Sequence, residues 1–126
     1  MNYAKLALLA ISAITILSGA VQMAAPGIVL HVVGGEATPA TLHFFAIIGM
    51  FMVLFGGLMW QALRAPTPQP IPLFWAAWQK VGAAIAVGLG VSRGLFGPLA
   101  LAVASFDLCS GILALWFWNK VRGRAT

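Results

Sequence analysis

The stretch that decides the fold is Leu73–Lys120, LFWAAWQKVGAAIAVGLGVSRGLFGPLALAVASFDLCSGILALWFWNK. It holds two apolar runs, one on each side of Gly97-Pro98. Each is close to the roughly 20 apolar residues that an α-helix needs to cross the hydrocarbon core of a bilayer. A Gly-Pro pair interrupts helical periodicity and marks a tight turn. Trp75 and Trp78 open the first run, and Trp116 and Trp118 close the second. Tryptophan favours the membrane–water interface. The stretch therefore reads as a transmembrane helical hairpin whose open end carries the aromatic residues.

Working outward, the same pattern repeats. An earlier apolar run covers about residues 6–25 and stops at Pro26-Gly27. Thr38-Pro39 supplies a capping hydroxyl followed by proline at a first helical position, and so starts another helix. That run reaches about Leu63 and is followed by a connector rich in proline, from Arg64 to Pro72, which is not expected to form regular helix. The expected spans are thus about 6–25, 39–63, 73–96 and 99–120, followed by a short basic tail, Val121–Thr126. The loop between the first two spans contains Ile28–Val33, which is apolar for a loop and is expected to lie in the interface or fold back against the bundle.

Composition agrees. Only 7% of the residues are charged, against about 25% in a soluble domain, so there is too little polar surface to cover a globule in water. Four spans use roughly 80 residues, and the remainder of a 126-residue chain makes short loops and no second domain. The expected fold class is all-α: an integral membrane four-helix bundle, residues 1–126 forming a single transmembrane domain.

Orientation follows from charge. Lys5, Arg64, Lys80, Lys120, Arg122 and Arg124 fall toward one side of these spans and only Arg93 toward the other. Trp60, Trp75, Trp78, Trp116, Trp118 and Tyr3 share the side with more cations. The positive-inside rule then places both termini in the cytoplasm. Residues 1–20 also resemble a signal peptide, with Lys5, an apolar core and Ser18-Gly19-Ala20, and cleavage would leave three spans. The apolar stretch runs on through Met23-Ala24-Ala25, longer than a typical signal core, which favours an uncleaved first helix.

Several function classes are excluded at this level. The cations sit at the ends of apolar runs instead of forming the exposed stripe that nucleic acid requires. Cys109 is the only cysteine, so neither an internal disulfide nor paired-thiol exchange is expected. His31, His43 and Cys109 do not assemble a convincing metal-ligand set. No nucleophile–base pair is visible, so no catalytic residue and no metal are assigned, and the cofactor is left open.

In lipid, small residues that let backbones approach drive much of helix association. Spacings of three and four give a candidate packing face on each run. These faces are Leu8, Ser12, Thr15, Gly19 and Gln22; Leu42, Ala46, Gly49, Val53, Gly56 and Trp60; Ala83, Ala86, Gly90 and Arg93; and Ala100, Ala104, Asp107, Gly111 and Ala114. Asp107 is the anomaly. A carboxylate near mid-membrane costs at least about 2.5–3.5 kcal/mol, so it must be paired, protonated or wetted. Two cations compete for it. A turn centred on Gly97-Pro98, or a belt in which Trp78 adjoins Trp118, sets Asp107 opposite Gly88 or Leu89. Arg93 is then about 6–8 Å away along the axis and Lys80 about 12–14 Å, which favours Arg93 and leaves Lys80 to snorkel toward the surface. The resulting candidate ligand site is an outward-facing polar cluster of Asp107, Arg93 and Gln22, with His43 as a flanking member and His31 and Glu36 above. The plainer alternative is an ion pair that only fixes helix register.

Three features resemble the DoxX-like group of small four-span bacterial membrane proteins. They are the stretch Gly49-Met50-Phe51-Met52-Val53-Leu54-Phe55-Gly56-Gly57, the long first outer loop with Pro26 and Glu36, and the Asp107 helix ending Trp116-Phe117-Trp118. The resemblance covers the whole chain at the level of architecture and transfers no functional residue. It implies a multi-pass protein of the bacterial cytoplasmic (inner) membrane. Because the group's namesake is a small subunit of an oxidoreductase that passes electrons to quinone, it also implies an accessory subunit. Other four-span families fit less well: the first run lacks the glutamate of small multidrug exporters, fluoride-channel signatures are not found, and both histidines fall at the outer edge, unlike those that bind haem. The expected function is a non-catalytic accessory subunit of a larger membrane complex or a binder of a lipophilic molecule. Its expected partners are the lipid bilayer, a membrane protein or a second copy of the chain, and a quinone or lipid. The alternative is a small transporter or membrane oxidoreductase component using Asp107 and Arg93.

Overall fold

A computed structural model describes residues 2–124; the last two residues of the expected basic tail lie outside the described residues. Five helices follow one another: α1 (Tyr3–Ala24), α2 (Pro26–Val32), α3 (Pro39–Arg64), α4 (Pro70–Ser92) and α5 (Leu99–Arg122). Four of them, α1, α3, α4 and α5, are long and apolar enough to cross a membrane.

The helix ends have local causes. The Asn2 side chain accepts a hydrogen bond from the Lys5 N–H at 3.1 Å and caps α1. Pro26 cannot extend the hydrogen-bond ladder of α1, but proline suits a first helical position, so the apolar segment expected to be a loop forms the short helix α2. Thr38 and Thr41 cap α3 reciprocally. The Thr41 N–H donates to Thr38 Oγ1 at 3.1 Å, and the Thr38 N–H donates to Thr41 Oγ1 at 2.7 Å. α4 begins at Pro70, before the expected Leu73. Pro70 and Pro72 both occupy the first turn, where a backbone N–H has no partner within the helix.

The larger correction is at the other end of α4. The helix stops at Ser92 rather than running to Phe96. Gly94 takes φ +73°. Its N–H donates to the Val91 carbonyl at 3.0 Å, and the Leu95 N–H donates to the Gly90 carbonyl at 2.8 Å. This paired closure needs a left-handed residue just past the last helical turn, which glycine accommodates. The turn is therefore centred nearer Leu95 than Gly97-Pro98, and α4 shifts relative to α5 by about one helical turn, ~5.4 Å. The aromatic contacts show the same shift: Trp118 packs on Phe74, with ring centroids 4.9 Å apart, one turn before Trp78.

The helices pack as two pairs. α1 lies against α3 and α4 against α5 along most of their lengths, whereas α3–α4 and α1–α5 meet far less. One apolar core, built on Leu8, Met59, Leu73, Ala77, Ala114 and Phe117, fills the end that carries the chain termini. There Arg122 lies over Trp118 at 4.8 Å and Lys120 over Trp116 at 4.6 Å. A second core, Leu30, Val33 and Ala100 with Phe45, Val87 and Phe96 against it, fills the other end. The Gly97 N–H donates to the Val33 carbonyl at 2.8 Å and ties the two hairpin ends together there. Between the two cores the pairs diverge.

Candidate functional site

The divergence leaves a cavity of about 700 Å³, walled by all five helices. Its lining is mostly apolar, and its polar groups come from Thr15, Ser18, Gln22, Gln79, Lys80 and Asp107. The apolar cores lie toward its two ends. Sideways it opens between α1 and α5, where Leu17, Val21, Val103 and Phe106 line it and are themselves exposed.

At the end nearest the first core, Lys80 Nζ donates to Thr15 Oγ1 at 2.8 Å and lies 3.5 Å from Asp107 Oδ1. Thr15 Oγ1 in turn donates to the Ile11 carbonyl at 2.8 Å. That hydroxyl is therefore used both ways, accepting from the lysine and donating along its own helix. The lysine side chain is 5% exposed and the aspartate 18%, so the ammonium is sealed by the bundle while the carboxylate looks into the cavity. Lys80 Nζ also stands 5.6 Å from the centre of the Phe106 ring. Gln22 Nε2 donates to the Phe45 carbonyl at 2.9 Å, bridging α1 and α3. An ammonium has three donors and a carboxylate two acceptor oxygens. One Lys80 N–H and Asp107 Oδ2 remain without a hydrogen bond among the described residues.

The expected pairing with Arg93 is corrected: the cation beside Asp107 is Lys80. Arg93 terminates α4 and is exposed. The cause is the one-turn register shift set by Gly94, which cuts the axial gap between Lys80 and Asp107 to about 7–8 Å, within reach of a lysine side chain, and moves Arg93 further away. His43 is also exposed, edge-on to Phe44 at 6.4 Å. Neither residue lines the cavity, and His31 and Glu36 are exposed in the segment between α1 and α3. Of the anticipated cluster, Gln22 and Asp107 share the cavity. Thr15 was placed on the correct packing face without a role. Lys80, the second of the two competing cations, has a signal in its favour: with Leu73, Ala76, Ala77 and Ala84, also buried, it lies on one face of α4 at spacings of three and four.

No family model, curated protein or solved structure matches the chain. The site is thus read on its own geometry. It offers a charge pair, two amide side chains and an apolar chamber, a combination common among small-molecule pockets.

Proposed function

We propose that this chain is a multi-pass membrane protein that binds one lipophilic molecule in the cavity between its two helix pairs. The observation that carries the reading is the cavity itself: large enough for a small lipid, apolar over most of its wall, with its charge pair toward one end and open to the side. Ligand chambers of about 300–1,000 Å³ with a few convergent polar groups are the usual form of a small-molecule site. In a bilayer the lateral mouth faces hydrocarbon, so an apolar ligand reaches it without crossing water.

The membrane setting has its own support. Exposed side chains on the long helices include Leu17, Phe44, Phe51, Leu54, Ile85 and Ile112, a surface suited to lipid. With Lys80 buried, Lys5, Arg64, Lys120, Arg122 and Arg124 remain at the aromatic end against Arg93 at the other, which favours cytoplasmic termini. The resemblance to DoxX-like proteins supports a bacterial cytoplasmic membrane as the location. Attachment to a larger partner as an accessory subunit is a second reading, and the same experiment separates the two.

Purified gently, the wild-type chain is expected to retain a lipid detectable by mass spectrometry. Ala83 lines the cavity about one turn of α4 beyond Lys80. Ala83→Phe puts a ring into the chamber and is expected to reduce retained lipid at least tenfold, whereas Ile112→Phe on the outer surface leaves it unchanged. Equal retention in all three proteins would show that the cavity is not the site. Stoichiometric recovery of another protein with no lipid would favour the subunit reading.

A further inference from the structure

Resting on the lipid-cavity reading, we infer that the ligand's polar group is an uncharged hydroxyl: the site takes a neutral lipid alcohol, not an anionic or zwitterionic headgroup. Three observations carry this. First, the charge pair is closed on itself. Lys80 and Asp107 neutralise each other at 3.5 Å, and among the described residues no other Asp, Glu, Lys, Arg or His lines the cavity. A third charge there would have no counter-ion, and the apolar cores at the two ends separate it from bulk water. Burying an unpaired charge is among the most costly events available to a ligand.

Second, at the charge pair the open hydrogen-bonding positions are one donor and one acceptor, with Ser18, Gln22 and Gln79 as further polar groups of the wall. Lys80 Nζ has a remaining N–H, and Asp107 Oδ2 has no hydrogen-bond partner among the described residues. A hydroxyl accepts from the first and donates to the second at the same time. An ether or ester carbonyl only accepts, and would leave Oδ2 unpaired. Third, the polar point is deep. Thr15 lies midway along α1, and Asp107 is more than two turns from the start of α5 and further from its end. A phospholipid seated there would draw its headgroup out of the interface, whereas a lone hydroxyl carries little hydration to lose. Leu17 and Phe106 at the mouth are placed to lie along the chain of such a molecule.

The test uses three probes with one chain and different heads: oleyl alcohol, oleyl methyl ether and oleyl sulfate. Equilibrium binding of radiolabelled probe to the detergent-purified protein is the readout, with Ala83→Phe defining the part that occupies the cavity. The alcohol is expected to bind at least tenfold more tightly than either of the others. Asp107→Asn leaves the site with a net positive charge and is expected to invert the order, sulfate over alcohol. Wild-type binding that favours the sulfate, or does not distinguish alcohol from ether, would overturn the hydroxyl assignment and leave the lipid cavity standing. Binding of all three that is insensitive to Ala83→Phe, or no binding at all, would overturn the cavity reading and the hydroxyl assignment with it. The wild-type ranking decides the matter even where Asp107→Asn fails to fold.

Discussion

Lys80→Met is expected to destabilise the bundle by about 3–5 kcal/mol, because it leaves the Asp107 carboxylate inside the protein without its cation. The ion pair, the 2.8 Å bond to Thr15 and the 5% exposure of the lysine side chain all place this charge in the interior. Asp107→Leu is expected to cost less, since Lys80 keeps Thr15 as an acceptor and a long stem able to move toward the surface. The double variant Lys80→Met/Asp107→Leu removes both charges together and is expected to recover most of the loss, as replacing a whole buried pair by apolar groups is often neutral or better. Arg93→Met is expected to lie within about 0.5 kcal/mol of wild type, like other exposed positions. Unfolding followed by tryptophan fluorescence in mild detergent measures all four. If Arg93→Met were the costly single change and Lys80→Met the silent one, α4 and α5 would be out by one turn and the site would be wrongly built.

That comparison also marks where the sequence is informative and where it is not. The buried face of α1 comprises Leu8, Ser12, Thr15, Gly19 and Gln22, the face expected from spacing alone. The reason is chemical contrast: Ser12, Thr15 and Gln22 fall on one stripe of α1, while from Leu6 to Ala24 every remaining position but Ser18 and Gly19 is apolar. The face of α5 was legible for the same reason, with Ala100, Ala104, Gly111 and Ala114 all buried. On α3, Gly49 and Gly56 were placed correctly, but Trp60 is 38% exposed and Met59 takes the buried position. α4 offers no such contrast, because alanine and glycine occur all around it. Of the expected face Gly90 is buried, but Ala83 and Ala86 suit a packing face as well as the Ala76, Ala77 and Ala84 that are in fact buried, and only the lysine fixes the phase.

The site was legible in part for a related reason. Asp107 announces itself, since a carboxylate amid apolar residues has few explanations. Its partner depends on register, and register depends on whether Gly94 or Gly97-Pro98 ends the preceding helix. Both are reasonable turn signals, and the hydrogen bonds from Gly94 and Leu95 decide between them. The cavity has no signature in the sequence at all. It arises because α1–α3 and α4–α5 pack closely within each pair and loosely between pairs, a property of the whole assembly.

The tightness within α1–α3 leads to the other large effect. Gly49→Val is expected to cost at least about 3 kcal/mol, at or beyond the upper end for overpacking a close-packed core. A Cβ on Gly49 would stand 2.7 Å from the Gly19 carbonyl oxygen and 2.9 Å from the Met23 nitrogen. Both are backbone atoms of α1, so no side chain can turn aside to make room. Gly19 meets α3 in the same way, its Cβ falling 2.6 Å from the Gly49 carbonyl oxygen; the two glycines are the point where the helix backbones touch. Gly57, on the same helix, has open space around its Cβ position, so Gly57→Ala is expected to be neutral or stabilising by up to about 1 kcal/mol through helix propensity alone. Melting of the two variants in detergent, measured side by side, tests the contrast. A small or equal effect would mean that α1 and α3 do not cross at these glycines. The effect should also reach the site. Thr15 stands one turn from Gly19 on the same face of α1, so forcing the helices apart withdraws the hydroxyl that positions Lys80. Lipid retention is therefore expected to fall in whatever fraction of Gly49→Val still folds and to be unaffected in Gly57→Ala.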